Sequence, residues 1–269
     1  MAKNRRRNLT NRSEWLRKSA GAVVGGAALG VALPACTTDS GDRSSSASSD
    51  QRTDGIRVWT DDTVVETTAG RVRGFTRNGV HIFRGIPYGD TTGGANRFQP
   101  AKPPQPWTGV RSSTSWGPCC PQRPRAGWVN DEEQFLYQWD DGFAGEDMLR
   151  VNVWTPGVND NGGRPVLVWI HGGGFQSGSS QDLRAYDGEN LAARHDAVLV
   201  SMNHRLNLFG FLDLSALGGE EYAQSGNLGM TDLVLALQWV RDNIGRFGGD
   251  PMPENAVPAS SLVTRPFRS

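Results

Sequence analysis

The chain has 269 residues, enough for one sizeable domain or two small ones, with 37% hydrophobic residues and 28 basic side chains matched by 28 acidic ones. That balance hides an asymmetry: residues 1–35 hold seven of the basic residues and one of the acidic ones, leaving 21 basic against 27 acidic in the remainder. A mildly acidic remainder removes the electrostatic case for nucleic acid as a partner.

Residues 1–35 read as an export signal. A basic start leads into SAGAVVGGAALGVALPA, an apolar stretch rich in Ala and Gly, too short and too weakly hydrophobic for a spanning helix. RRRNL (5–9) and RSEWLR (12–17) each resemble a degraded twin-arginine motif. Leu33-Pro34-Ala35-Cys36 resembles a bacterial lipobox, in which Cys36 becomes the lipid-modified N-terminus; the competing reading is an ordinary cleaved signal with Cys36 incidental. The lipoprotein reading is favoured because TTDSGDRSSSASSDQR (37–52) has the low complexity of a tether and cannot bury a core. Residues 36–62 are therefore expected to be a flexible spacer. It would hold an exported domain on the outer surface of a membrane through a lipid anchor.

The globular part is expected over 63–251. VVETT, RVRGF and VHIFR (64–84), broken by Ala-Gly and Asn-Gly, predict a hairpin meander. A long stretch rich in Pro, Trp and Gly follows (87–145), and it includes two of the three cysteines, Cys119 and Cys120. Adjacent cysteines make a strained disulfide, so no structural crosslink is expected within the chain. VNVWT (151–155) marks the return of regular structure. VLVWI (166–170) and AVLVSM (197–202) are unbroken apolar runs, which predict parallel strands buried on both faces. ENLAARH (189–195) between them predicts a short helix. Met230, Leu233, Leu237, Val240, Ile244 and Phe247 recur at spacings of three and four, predicting an amphipathic helix that Gly248-Gly249 and Pro251 stop. The alternation of strands and helices gives an α/β fold.

The chemistry concentrates in His171-Gly172-Gly173-Gly174-Phe175, directly after the VLVWI run. Consecutive glycines let backbone N–H groups approach a ligand closely, and two such donors can hold the negative charge that develops on an attacked carbonyl oxygen. A tight strand-to-helix connection or an anion-binding nest is the competing reading. A buried strand in front, with His before and Phe after the glycines, favours the oxyanion hole. No metal cluster, phosphate loop or dinucleotide fingerprint appears, so no cofactor is expected; Gly218-Gly219 and Gly248-Gly249 lack the spacing for one.

These motifs, in order, resemble the N-terminal part of a type-B carboxylesterase, the family of cholinesterases and bacterial para-nitrobenzyl esterases. The matching segments are TTAGRVRG (67–74), FRGIPYG (83–89), RFQPAKPPQPWTGVR (97–111) and GPCCPQ (117–122). GEDMLRVNVWTP (145–156), PVLVWIHGGGFQSGS (165–179), NHRLNLFGFL (203–212) and GNLGMTDLVLALQWVRDNIGRFGGDP, which ends at 251, complete the series. The resemblance implies an α/β-hydrolase fold and hydrolysis of small-molecule carboxylic esters through a serine acyl-enzyme, with His as general base and an acidic residue orienting it. It places Gly173 and Gly174 as two oxyanion donors.

It also implies a G-E-S-A-G turn with its serine nine residues beyond Pro251. That position is Ser260, but Pro258 and Leu262 stand where the strained turn needs glycines. Ser260 is therefore not expected to be a nucleophile. Residues 252–269 read as an off-pattern tail, and the fold as an N-terminal portion truncated before the nucleophile elbow. The backbone of the VLVWI strand is expected to lack a neighbour on that side, because Pro258 should bar the tail from a central position. His81, His171, His195 and His204 match no catalytic position of the family, and His204, standing where the family has Tyr, reads as structural. Met148 replaces a family Cys implied to pair at the position of Cys120. Trp107, Trp128 and Trp139 read either as lining for a gorge mouth or as ordinary packing. The function expected is a carboxylic ester hydrolase of this family, present as a fragment and inactive alone. The alternatives are a non-catalytic cholinesterase-like binding protein and a decayed gene product.

Overall fold

A computed structural model describes residues 55–58, 60–123, 131–251 and 256–258. The expected export signal, Cys36, most of the tether, Trp128 and Ser260 lie outside these residues.

Two hairpins follow from the turn residues. Strands β2 (Val64–Thr67) and β3 (Gly70–Arg73) pair antiparallel, and β6 (Val110–Ser112) adds to β3 in parallel, making a three-stranded sheet. Strands β4 (Phe75–Arg77) and β5 (Val80–Pro87) form the second hairpin, whose Asn78 and Gly79 both take positive φ, 50° and 79°. That is the mirror-image turn that matches strand twist. The predicted meander is thus real but divided between two sheets. Strand β1 (Ile56–Val58) pairs antiparallel with β4, so the fold begins upstream of Val64, inside the segment expected to be tether.

Among the described residues the main sheet has seven strands in the order β1-β4-β5-β7-β9-β8-β10, with β7 at Arg150–Thr155, β8 at Val166–Ile170, β9 at Val198–Met202 and β10 at Ala256–Pro258. β9, β8 and β10 are parallel; β7 runs antiparallel to both β5 and β9. Helix α1 (Asp131–Tyr137) interrupts the irregular stretch, and α2 (Glu189–His195) falls on the predicted residues. Short helices α3 (Asn207–Phe211) and α4 (Ser215–Gly218) precede the long α5 (Leu228–Asn243).

Alternation along the strands sorts the core into two layers. Val166, Val168, Val198, Val200 and Met202 join Leu233, Ala236, Trp239 and Val240 of α5, with Ile244 and Phe247 beyond it, in the larger cluster. Ile82, Trp154 and Leu199 meet Ala192 of α2 on the opposite face. Two-sided burial holds for all five residues of β9 but not for β8. Leu167 and Trp169 are only half-buried and Ile170 is 41% exposed, because α2 packs chiefly on β5, β7 and β9.

Two further expectations are corrected. Met230 and Leu237 do not belong to the core stripe of α5: they are 41% and 45% exposed, while Ala236 and Trp239 are buried in their place. A residue spaced three or four from a core position can still sit on the margin of the stripe, and here packing chose the inner margin. The tail does stand beside the VLVWI strand, since Ala256, Val257 and Pro258 pair with Val166, Leu167 and Val168. Among the described residues β10 is the outermost strand, not a central one, so its proline needs no donor on the far side.

Cys119 and Cys120 are free and buried, and Met148 packs in the same cluster as Cys120. Burial pushes the Cys120 thiol up to about 12. Among the described residues, no helix is long and apolar enough to cross a membrane, and no group of three or more His, Cys, Asp or Glu is placed to hold a metal.

Candidate functional site

Strand β8 delivers the glycine loop at its C-terminal end. After Ile170 the chain turns through Gly173 (φ 121°), Gly174 (φ 62°) and Phe175 (φ 60°), and the Gly173 carbonyl accepts the amides of Gln176 (3.1 Å) and Ser177 (3.3 Å). Only glycine fits at 173, since a Cβ there would overlap the Ser177 carbonyl group. Among the described residues, neither the Gly173 nor the Gly174 amide donates a hydrogen bond. Gly174 is exposed and Gly173 partly so.

The loop is fixed from three directions. Gln122 clamps its far end: the Gly178 amide donates to Oε1 (2.6 Å), and Nε2 donates back to the Gly178 carbonyl (2.9 Å). The amide of Asn207, which itself has φ 46°, donates to the Phe175 carbonyl (2.7 Å), and its side chain donates to the Pro121 carbonyl (2.9 Å). Asn203 accepts the Ser180 amide (2.8 Å) and donates to the Pro118 carbonyl (3.0 Å). The segment carrying Asn203 and Asn207 is in turn held to α5. There the fully buried Arg205 meets Asp232 at 2.6 Å and 2.8 Å, while the Arg205 amide adds a third bond to the same carboxylate (3.0 Å).

Aromatic rings line the base of the loop. His171 and His204 stack with centroids 5.0 Å apart, and Phe175 meets His204 edge-on at 6.2 Å. His204 is 2% exposed, and its Nδ1 lies 2.9 Å from the Arg205 carbonyl. Burial, and secondly the His171 ring, lower its pKa to about 4, so it is neutral at physiological pH. That suits a packing role better than proton transfer. His81 is likewise lowered by burial and sits on β5, in the strand body. His195 ends α2.

Trp107 donates Nε1 to the Arg71 carbonyl (2.9 Å) with Arg111 over its ring, and Trp139 donates to Asp141 (3.0 Å). Packing explains Trp107, which lies against the core beside β3. The residues that position the loop, Gln122, Asn203 and Asn207, carried no role at the level of sequence. Their only signal was membership of the GPCCPQ and NHRLNLFGFL motifs.

Comparison with known proteins follows the same residues. A model of the carboxylesterase family matches residues 61–253. The para-nitrobenzyl esterase of Bacillus subtilis (strain 168) is 42% identical over 188 residues, covering 70% of this chain and 36% of the relative. The phenmedipham hydrolase of Pseudarthrobacter oxydans is 41% identical, covering 70% and 35%. Among solved structures, a carboxylesterase of Geobacillus stearothermophilus is 46% identical with a TM-score of 0.61, covering 70% of this chain and 36% of its own. An esterase of Clostridium hathewayi, described as hydrolysing aliphatic aromatic polyesters, is 44% identical with a TM-score of 0.66, covering 73% and 38%. The chain spans about a third of the length of the curated relatives it matches.

Proposed function

This chain belongs to the carboxylesterase family, and on that premise we propose that the Gly173 and Gly174 amides are donors of an oxyanion hole for carboxylic-ester hydrolysis. When an ester carbonyl is attacked, its oxygen takes on negative charge. Donors already aimed at that place stabilise the transition state without reorganising, each contributing roughly 10²–10³ in kcat. The observation that supports the reading is the pair of amides at the end of β8 that donate to no described residue, in a loop anchored by Gln122, Asn203 and Asn207. A loop whose amides served only its own turn would spend them on internal carbonyls.

The attacking group is a separate matter. Within residues 1–269 no serine stands in a G-x-S-x-G setting, and none of the four histidines falls at a catalytic position. The chain by itself therefore forms no acyl-enzyme. Incubation with a fluorophosphonate probe is expected to leave it unlabelled, whereas stoichiometric labelling would overturn this part of the reading.

The domain's address is also proposed: export through residues 1–35, and attachment to a membrane surface by lipid on Cys36. Mass spectrometry of the mature N-terminus from cells is expected to find a diacylglyceryl-modified Cys36, and Cys36→Ser to release the protein from the membrane fraction. An unmodified N-terminus in the soluble fraction would refute it.

A further inference from the structure

A second site, unrelated to the glycine loop's amides, lies on the α2 face of the sheet. The β4–β5 hairpin and the segment 180–187 enclose a cleft of about 250 Å³, lined by Arg77, Arg84, Trp116, Arg184, Tyr186 and Asp187 among others. It shares Arg77, Arg184 and Asp187 with an open groove of about 640 Å³ that runs along α2 to Arg194 and His195.

Most of the acidic charge here is already engaged. Asp187 takes Arg77 at 2.7 Å, and Glu189 takes Arg77 Nε together with Asn78 Nδ2 (2.7 Å). Asp140 accepts the Gly142 amide (2.9 Å). Arg84 is different. Its guanidinium lies over the Trp116 ring at 4.2 Å and near the Phe75 ring at 5.3 Å, with its side chain 18% exposed. Its nearest carboxylate oxygen, on Asp187, is 3.8 Å away, beyond hydrogen-bond distance. The Nε atom is sealed from solvent and donates to nothing among the described residues. Asp187 supplies a counter-charge at ion-pair distance, but among the described residues the largely buried guanidinium has no hydrogen-bond acceptor, which is costly unless one reaches its terminal N–H groups from the cleft. A guanidinium flattened against an indole can still offer its in-plane N–H pair, the geometry that carboxylates and phosphates match. Arg184, exposed at the cleft mouth and bonded to Gln138 (3.1 Å), adds a second guanidinium.

We propose that this cleft binds a small oxyanion, a carboxylate or a phosphate, gripped by Arg84 and closed over by Arg184. The loop residues Ser180 and Gln181 line the same cleft, so the site sits at the far end of the segment that begins with the glycines. It is independent of the esterase reading, because neither its ligand nor its residues take part in oxyanion stabilisation at Gly173 and Gly174.

The test titrates the full-length chain with benzoate and, separately, with inorganic phosphate, against chloride at matched ionic strength. Binding is followed by calorimetry and by the Arg84 Nε–H resonance. The expected result is saturable binding of at least one of the two anions with a shift of that resonance, weakened about tenfold or more in Arg84→Gln. It should be unchanged in Arg241→Gln, an exposed arginine on α5 paired with Asp242. Which anion binds tighter assigns the source of the ligand. Arg184 is on the surface, so Arg184→Gln preserves the fold and should also weaken binding if Arg84→Gln proves unstable. Absence of saturable binding by both anions overturns the proposal, as does equal binding by the folded Arg84 or Arg184 variants.

Discussion

The imidazole of His204, neutral down to about pH 4, makes acid stability a readout of how the glycine loop is packed. An unfolded histidine titrates near 6.5, so between those limits the unfolded chain binds the extra proton. Stability is therefore complete above the unfolded value and is lost as pH falls through the window, by on the order of 2–3 kcal/mol at pH 4. Burial of His81 acts in the same direction. His204→Phe keeps a ring against His171 and removes the titration, so denaturant midpoints measured from pH 7 to pH 4 should fall less steeply than in the parent chain. An unchanged slope would mean that His204 is solvated. At the neighbouring glycines the two alanine variants should separate. Gly173→Ala meets the Ser177 carbonyl and should destabilise by about 3 kcal/mol, whereas Gly174→Ala meets nothing within 4 Å and should cost only the left-handed backbone, about 1–2 kcal/mol. The glycine loop stood out as a candidate because its three glycines follow a buried apolar strand, with His before and Phe after them. Gln122 did not, since a clamp on Gly178 exists only once 56 residues of chain have folded back.

At the scale of elements, hydrophobic spacing placed β8, β9 and α2 within a residue of their observed limits, and Gly248 ends the last helical turn at φ 73° as expected. What spacing could not resolve was which flank of α5 faces inward. Leu233→Ala should cost about 2–5 kcal/mol and Leu237→Ala less than about 1, measured by chemical denaturation. Equal costs would contradict the observed rotation of the helix. Helix α5 also carries Asp232, whose carboxylate anchors Arg205 and through it the 203–207 segment. Asp232→Asn leaves a buried guanidinium without its counter-charge and should destabilise by about 3–5 kcal/mol. The role of β10 was hidden for a different reason: proline argues against a central strand but not against an outermost one. Hydrogen exchange should find the β8 amides that face β10 protected, and deletion of residues 252–269 should expose them while sparing those that face β9. Protection unaltered by the deletion would remove β10 from the sheet.

For the whole molecule, the family and the α/β-hydrolase fold were legible because eight motifs recur in order along residues 67–251, the stretch that the carboxylesterase family model also matches, over residues 61–253. Substrate preference was not legible, because it is set by the walls around the reacting ester. The chain spans only about a third of its relatives' length. The central claim, that Gly173 and Gly174 cradle the developing oxyanion, is tested most directly in a chimera. Residues 61–251 of this chain would replace the matching third of the Bacillus subtilis para-nitrobenzyl esterase, and steady-state hydrolysis of a para-nitrobenzyl ester would be measured. The account predicts a folded, active chimera in which Gly173→Ala, whose Cβ collides with the Ser177 carbonyl and so shifts the donor amides, lowers kcat of the folded protein by about 10²–10³ with KM little changed. A folded chimera without turnover, or one whose kcat is indifferent to that substitution, would contradict it.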